Sequence, residues 1–343
     1  MRAAVLTQLK QPLAICEVGL PDALDVGQVF VKIHYSGICG SQLGEIDGAK
    51  GEDRYLPHLL GHEGSGTVLD TGPGVTQVRR GDSVVLHWRK GLGIESRPPA
   101  YTWNGKPLNA GWVTSFNDHA IVSENRLTAI AADSDLRTAA LFGCAVTTGF
   151  GVVSNNAKVR IGDSVVIFGA GGIGLNIVQA SQLAGAHPVI AVDLHDNRLG
   201  LAKRLGATHV VNSAKEDAES AIRRVAPEGV DCFIDNTGLP AVIELGYRLS
   251  KPQGRVTLVG VPRKGNNVSL YSLPLHFGKV ISGSHGGEAV PHEDIPRYLR
   301  LEKAGRLSLS ELITAEYDLD HINEAIDDMR RGRTAGRCLI RFP

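Results

Sequence analysis

Over the first 145 residues the apolar side chains come in short runs broken by Gly, Pro and Asp. Residues 3–6, 29–35, 66–70, 83–87 and 119–122 each read as a strand, an all-β pattern with turns between. Residues 88–115 depart from it. They form a long stretch rich in Gly, Pro, Asn and Trp, and a loop of that length inside a compact domain is usually functional or disordered.

Near residue 146 the pattern changes to alternating strands and helices. Residues 164–168 form a short apolar strand. Residues 173–183 are helical, with Ile173, Ile177, Ala180 and Ala184 on one face. Strands follow at 189–193, 209–212, 230–235, 255–259 and 279–283. Between them lie helices such as 197–205, with Gly206 just past its end, and 216–225. This alternation predicts a parallel, doubly wound α/β sheet. The tail after about residue 288 is expected to carry one amphipathic helix, 322–330, and a last strand, 337–341, packed back on the first region. The division is therefore 1–145 with 288–343 as one domain and 146–287 as the other. At 343 residues the chain is long enough for both cores.

Composition narrows the function classes. The 36 basic and 36 acidic side chains cancel, which argues against charge-driven binding of nucleic acid or membrane surfaces. No stretch approaches the roughly 20 apolar residues of a membrane helix, and the N-terminus lacks the apolar core of a signal peptide. Five scattered cysteines make no disulfide framework, so a reduced, cytoplasmic protein is expected.

Gly169-Ala170-Gly171-Gly172-Ile173-Gly174 matches G-x-G-x-x-G, with an apolar strand leading in and a helix leading out. Gly169 permits the tight turn. Gly171 lets backbone approach a pyrophosphate at the helix N-terminus, and Gly174 lets helix and strand pack closely. Asp193 ends the next strand. A carboxylate there suits the adenosine ribose hydroxyls and repels a 2′-phosphate, so NAD is expected over NADP. Arg198 lies five residues further, toward the adenosine end.

Three fragments bear on metal chemistry: Gly37-Ile38-Cys39-Gly40-Ser41, Gly61-His62-Glu63-Gly64 and Gly143-Cys144-Ala145. Two sulfurs and one imidazole suit a catalytic zinc, which takes three protein ligands and keeps a fourth position open. Singly, each residue also reads as an ordinary core side chain. Together, these fragments and the segments LLGHEGSGTV, TGPGVTQVRRGDSVV, FGCAVTTGFG and VVIFGAGGIGL resemble the zinc-containing medium-chain dehydrogenases, over nearly the whole chain.

The resemblance implies a GroES-like β-barrel catalytic domain beside a Rossmann domain, and a zinc-dependent, NAD-linked alcohol dehydrogenase. It implies that Cys39, His62 and Cys144 bind the catalytic zinc, that Glu63 supports the site or ligates transiently, and that Ser41 takes the substrate proton. It further implies Thr148 and Ile173 at the nicotinamide, Arg337 near the cofactor phosphates and Trp88 in the substrate pocket. A homodimer or homotetramer paired through the edge strand 279–283 is also implied.

Three departures matter. No cysteine lies between Cys39 and Cys144, so the lobe that carries a structural zinc is absent, and one zinc per chain is expected. Gly44 stands where a relay histidine is common. His34, His58 and His87 are alternative helpers, though each reads more readily as an ordinary structural or surface histidine. Gln42 replaces an acid that orients the ligand histidine, which weakens that support unless Glu63 compensates. Cys16, Cys232 and Cys338 fall in strand patterns and read as packing residues.

Other readings stay open: a reductase of C=C or C=N bonds on the same fold, with or without zinc, and a non-catalytic nucleotide-binding relative. On the dehydrogenase reading the expected substrate is a small alcohol. Trp88, Tyr101, Trp103, Asn104, Asn109 and Trp112 suit a polyol or sugar-derived one if segment 88–115 lines the pocket. The composition of the segment equally suits packing on itself or on a partner subunit.

Overall fold

The computed structural model describes residues 1–343 and divides into two compact units. The first comprises Met1–Cys144, Val290–Arg333 and Arg337–Pro343. The second comprises Ala145–Ala289 and Thr334–Gly336.

The first unit is built around the strand Gln28–Ile38. Its alternate residues Val29, Val31 and Ile33 are fully buried, as period-two patterning requires. Glu63–Thr71 runs antiparallel along one edge. On the other edge His119–Ser123 pairs with the first half, and Arg337–Arg341 with the second. Ser83–His87 and Leu127–Ile130 extend the sheet on one side and Ile313–Tyr317 on the other. A smaller sheet orders Ala14–Glu17, Arg2–Leu6 and His58–Leu59.

Segment 88–115 is not wholly irregular. It contains the hairpin Tyr101–Trp103 and Lys106–Leu108, closed by a two-residue turn. One buried side chain ties its residue 94 to the turn at 76–77. Glu124 is fully buried, and its carboxylate accepts N–H groups from Ile94 at 2.6 Å, Gln77 at 2.8 Å and Thr76 at 2.5 Å. Hydrogen bonds to a charged acceptor are each worth about 1.5–3 kcal/mol.

The tail also departs from expectation. Besides Ile322–Arg330 it carries a 13-residue helix, Pro291–Lys303, and a short one, Leu309–Leu312. PHEDIPRYLRLEK is charged on most sides and holds Pro296 inside, so its narrow apolar stripe (Ile295 and Tyr298 at its centre) is faint in the sequence.

The second unit has six parallel strands in the order His209–Asn212, Val189–Asp193, Val165–Phe168, Val230–Asp235, Ser250–Leu258 and Val280–Gly283. The strand order reverses beside Val165–Phe168, the switch point where such sheets bind dinucleotides. The central strands are buried on both faces, hence their unbroken Val and Ile runs. Val280–Gly283 is an edge strand with one partner, and Val280 is exposed. No single helix in the chain is long and apolar enough to cross a membrane.

Candidate metal centre and dinucleotide site

Sheet register brings the three metal-ligand candidates together. Ser36 pairs with Gly64, so Cys39, just past the end of its strand, comes level with the start of the neighbouring strand, where His62 precedes Glu63. The turn Ala140–Gly143 then lies against both strands and delivers Cys144. Gly143 is required there: a Cβ would stand 2.7 Å from Glu63 Cα. The ligand atoms of Cys39, His62 and Cys144 all lie within 4.8 Å of one another.

The chemistry of the three fits a cation. Cys39 and Cys144 are buried. The hydrogen bond with Cys144 holds the Cys39 thiol well below its ordinary range, His62 and Arg337 add to the effect, and burial opposes it. Nε2 of His62 is buried and has no hydrogen-bond partner. Two closely set sulfurs and an unsatisfied ring nitrogen are what a thiophilic divalent ion would complete.

Around them, Gln42 sits in the first turn of the helix Gly40–Ile46, which Cys39 caps. It is 1% exposed; its Oε1 accepts from Cys39 N–H at 2.8 Å and its Nε2 meets His62 Nδ1. Gln42 itself, and not Glu63, therefore stands against His62 Nδ1. The Glu63 carboxylate, fully buried, pairs with Arg337, 3% exposed. The guanidinium expected near cofactor phosphates is engaged on Glu63. Trp88 meets the His62 ring edge-on, with centroids 6.4 Å apart. Ser41, one helical position beyond Gly40, is exposed.

The second unit holds the glycine turn. Gly169 has φ +95°, a left-handed conformation that side chains avoid. Asp193, 6% exposed, locks this turn to its own strand end: Oδ2 accepts from Ala170 N–H at 2.8 Å and Oδ1 from His195 N–H at 3.0 Å. Arg198 lies 3.7 Å from Oδ2. Gly171 caps the helix Gly172–Leu183, whose first N–H groups point out of the turn.

Two family models match the chain: the alcohol dehydrogenase GroES-like domain over residues 25–132 and zinc-binding dehydrogenase over 172–303. An alcohol dehydrogenase class-3 of Cereibacter sphaeroides is 31% identical across 99% of both chains.

The chain belongs to the zinc-containing medium-chain dehydrogenase family.

Solved structures carry the same likeness. An alcohol dehydrogenase zinc-binding domain protein from Burkholderia ambifaria superposes with TM-score 0.90 at 32% identity, covering 100% of this chain and 98% of that one. Benzyl alcohol dehydrogenase from Acinetobacter calcoaceticus gives 0.88 at 30%, covering 100% and 99%. In this zinc-containing dehydrogenase the first unit is thus GroES-like and the second a Rossmann sheet.

The remaining predicted residues take ordinary places in that frame. Thr148 is buried in the helix Ala145–Gly151, and Ile173 is half-buried at the start of Gly172–Leu183. Cys16, Cys232 and Cys338 lie in three separate strands. Of the aromatic residues in segment 88–115, Trp88 is the one whose ring meets a ligand candidate. Tyr101 is buried with its oxygen accepting from Ile121 N–H at 2.7 Å. Trp112 donates to Ser96 O at 3.0 Å and lies under Arg126. Ser36 and Ser115, not singled out by the sequence, both donate to the Glu63 carbonyl, at 3.2 and 3.1 Å. Isolated serines carry no local signal that would have marked them.

Proposed function

We propose that this dehydrogenase oxidises a small alcohol with NAD at one catalytic zinc per chain, held by Cys39, His62 and Cys144. The observation that carries the reading is the convergence of two sulfurs and the unpartnered His62 Nε2 within 4.8 Å, beside Trp88. When bound, zinc acts as a Lewis acid on the alcohol oxygen and NAD accepts the hydride.

The chain's own groups do the rest. Ser41 Oγ takes the hydroxyl proton and, being exposed, passes it outward without the histidine that Gly44 lacks. Trp88 lines the alcohol's approach to His62. Glu63 with Arg337 forms a neutral buried pair, and the Arg337 charge favours the Cys39 thiolate. The turn Gly169–Gly174, with Gly171, Gly172 and Ile173, receives the pyrophosphate. Asp193 and Arg198 receive the adenosine ribose and exclude a 2′-phosphate, and Thr148 lies toward the nicotinamide. The open edge Val280–Gly283, with exposed Val280, supports a homodimer or a tetramer of dimers. Five cysteines with no disulfide between them support a reducing, cytoplasmic setting.

The test is NADH formation across primary, secondary, polyol and sugar-derived alcohols, with zinc measured on the same sample. The expected result is turnover with NAD ahead of NADP and one zinc per chain. No oxidation of any alcohol, together with reduction of an activated C=C bond, would transfer the assignment to a reductase.

A further inference from the structure

Gln42 bonds in two directions, and the two bonds are not independent. A backbone N–H can only donate, so the Cys39 N–H at 2.8 Å requires the oxygen end of the Gln42 amide to face it. The –NH₂ end then faces His62 Nδ1, and an –NH₂ group can only donate. Nδ1 is therefore an acceptor. A neutral imidazole that accepts at Nδ1 carries its proton on Nε2, the buried atom with no hydrogen-bond partner.

A metal ligand needs the opposite arrangement. Nε2 must offer its lone pair, the proton must sit on Nδ1, and Nδ1–H needs an acceptor. With the amide ends where they stand, Gln42 supplies one by turning its oxygen toward His62, which sets –NH₂ against the Cys39 N–H, donor against donor. A carboxylate of the same length would accept from both at once. At 1% exposure no bulk water reaches Gln42 to relieve the conflict.

We propose that Gln42 is a positioning residue that holds His62 in its non-ligating tautomer, so that this chain binds its catalytic metal more weakly and exchangeably than a Gln42→Glu variant would. The inference rests on Cys39, His62 and Cys144 being the metal site. It assigns the amide a definite cost: each metal-binding event exchanges the Cys39 cap bond for a bond to His62.

The test is zinc affinity of the full-length chain, stripped by chelation and titrated against a colour-forming zinc chelator. Wild type, Gln42→Glu and His62→Ala are compared, with circular dichroism checking each fold. Gln42→Glu should bind zinc about 10–100-fold more tightly, the usual scale for partners of metal-ligating histidines. Equal or weaker binding by Gln42→Glu, with zinc still lost in His62→Ala, overturns the inference and leaves the site assignment standing. Zinc that His62→Ala retains overturns both. Should Gln42→Glu misfold, ring ¹⁵N shifts of His62 in metal-free wild type decide alone: protonated Nε2 supports the proposal, and protonated Nδ1 sinks it.

Discussion

His62 immediately precedes one strand and His87 ends its neighbour, where Glu63 faces His87 across the ladder. Their surroundings are opposite in kind. Both ring nitrogens of His87 are satisfied: Nδ1 donates to the Arg89 carbonyl at 2.7 Å, and Nε2 accepts from the Thr128 hydroxyl at 2.9 Å. Burial pushes this imidazole down to about 4. His62 is satisfied at Nδ1 alone. One histidine is completed by the protein and the other is left for something else to complete. His58 resembles His87 in this respect, held at both nitrogens by Asp53 and the Leu59 carbonyl, while His34 bonds Thr67 through Nε2. An unsatisfied buried nitrogen set beside two sulfurs, and not the residue type, marks His62 as the candidate ligand.

The most forceful way to break this contrast is to remove each ring. His62→Ala should abolish bound zinc and lower turnover by about 10³-fold, since a Lewis acid contributes several kcal/mol at tenfold per 1.36 kcal/mol. His87→Ala should leave zinc content unchanged. Equal zinc loss in both variants, measured by elemental analysis, would erase the distinction.

A step smaller is Ser41→Ala, which tests whether the open side of the metal site also handles the proton. Turnover should fall by about 10²-fold while zinc stays bound. Near-normal turnover would mean that the proton leaves by another group.

The smallest effect concerns His87 itself. Its value of about 4 in the fold lies below the 6.5 of an unperturbed histidine, so the unfolded chain binds the proton first as pH falls. The His87 contribution to stability is intact above pH 6.5 and is lost progressively down to about pH 4. The full loss is about 3 kcal/mol at 1.36 kcal/mol per unit. Denaturant melts of wild type and His87→Gln across that window should show a steeper acid loss in wild type. Parallel curves would remove His87 as the cause.

Most of the Rossmann unit was legible because its signals are local. An apolar strand, the glycine turn, a helix and Asp193 follow one another within about thirty residues, and each constrains the next. The metal residues were legible as types. Their meeting depends on the pairing of Ser36 with Gly64 and on a turn from residue 140 onward, distances that no local pattern encodes. Gln42 shows the limit most sharply. It stood out as a departure from an acidic residue, but its two hydrogen bonds, to Cys39 and His62, need a partner 20 residues away. The helix Pro291–Lys303 escaped notice because charge and an internal proline mask a stripe only two or three residues wide.

The carboxylate of Glu124 has one more consequence. It ties residues 76, 77 and 94 through backbone N–H groups, so residue 94 of the long segment after Trp88 is held to the turn at 76–77 by groups the chain itself carries. Anchorage of this kind asks nothing of a cell's supply of trace elements. Stripped of zinc, such a chain is expected to lose its reaction and keep its scaffold, which circular dichroism of the chelated protein checks.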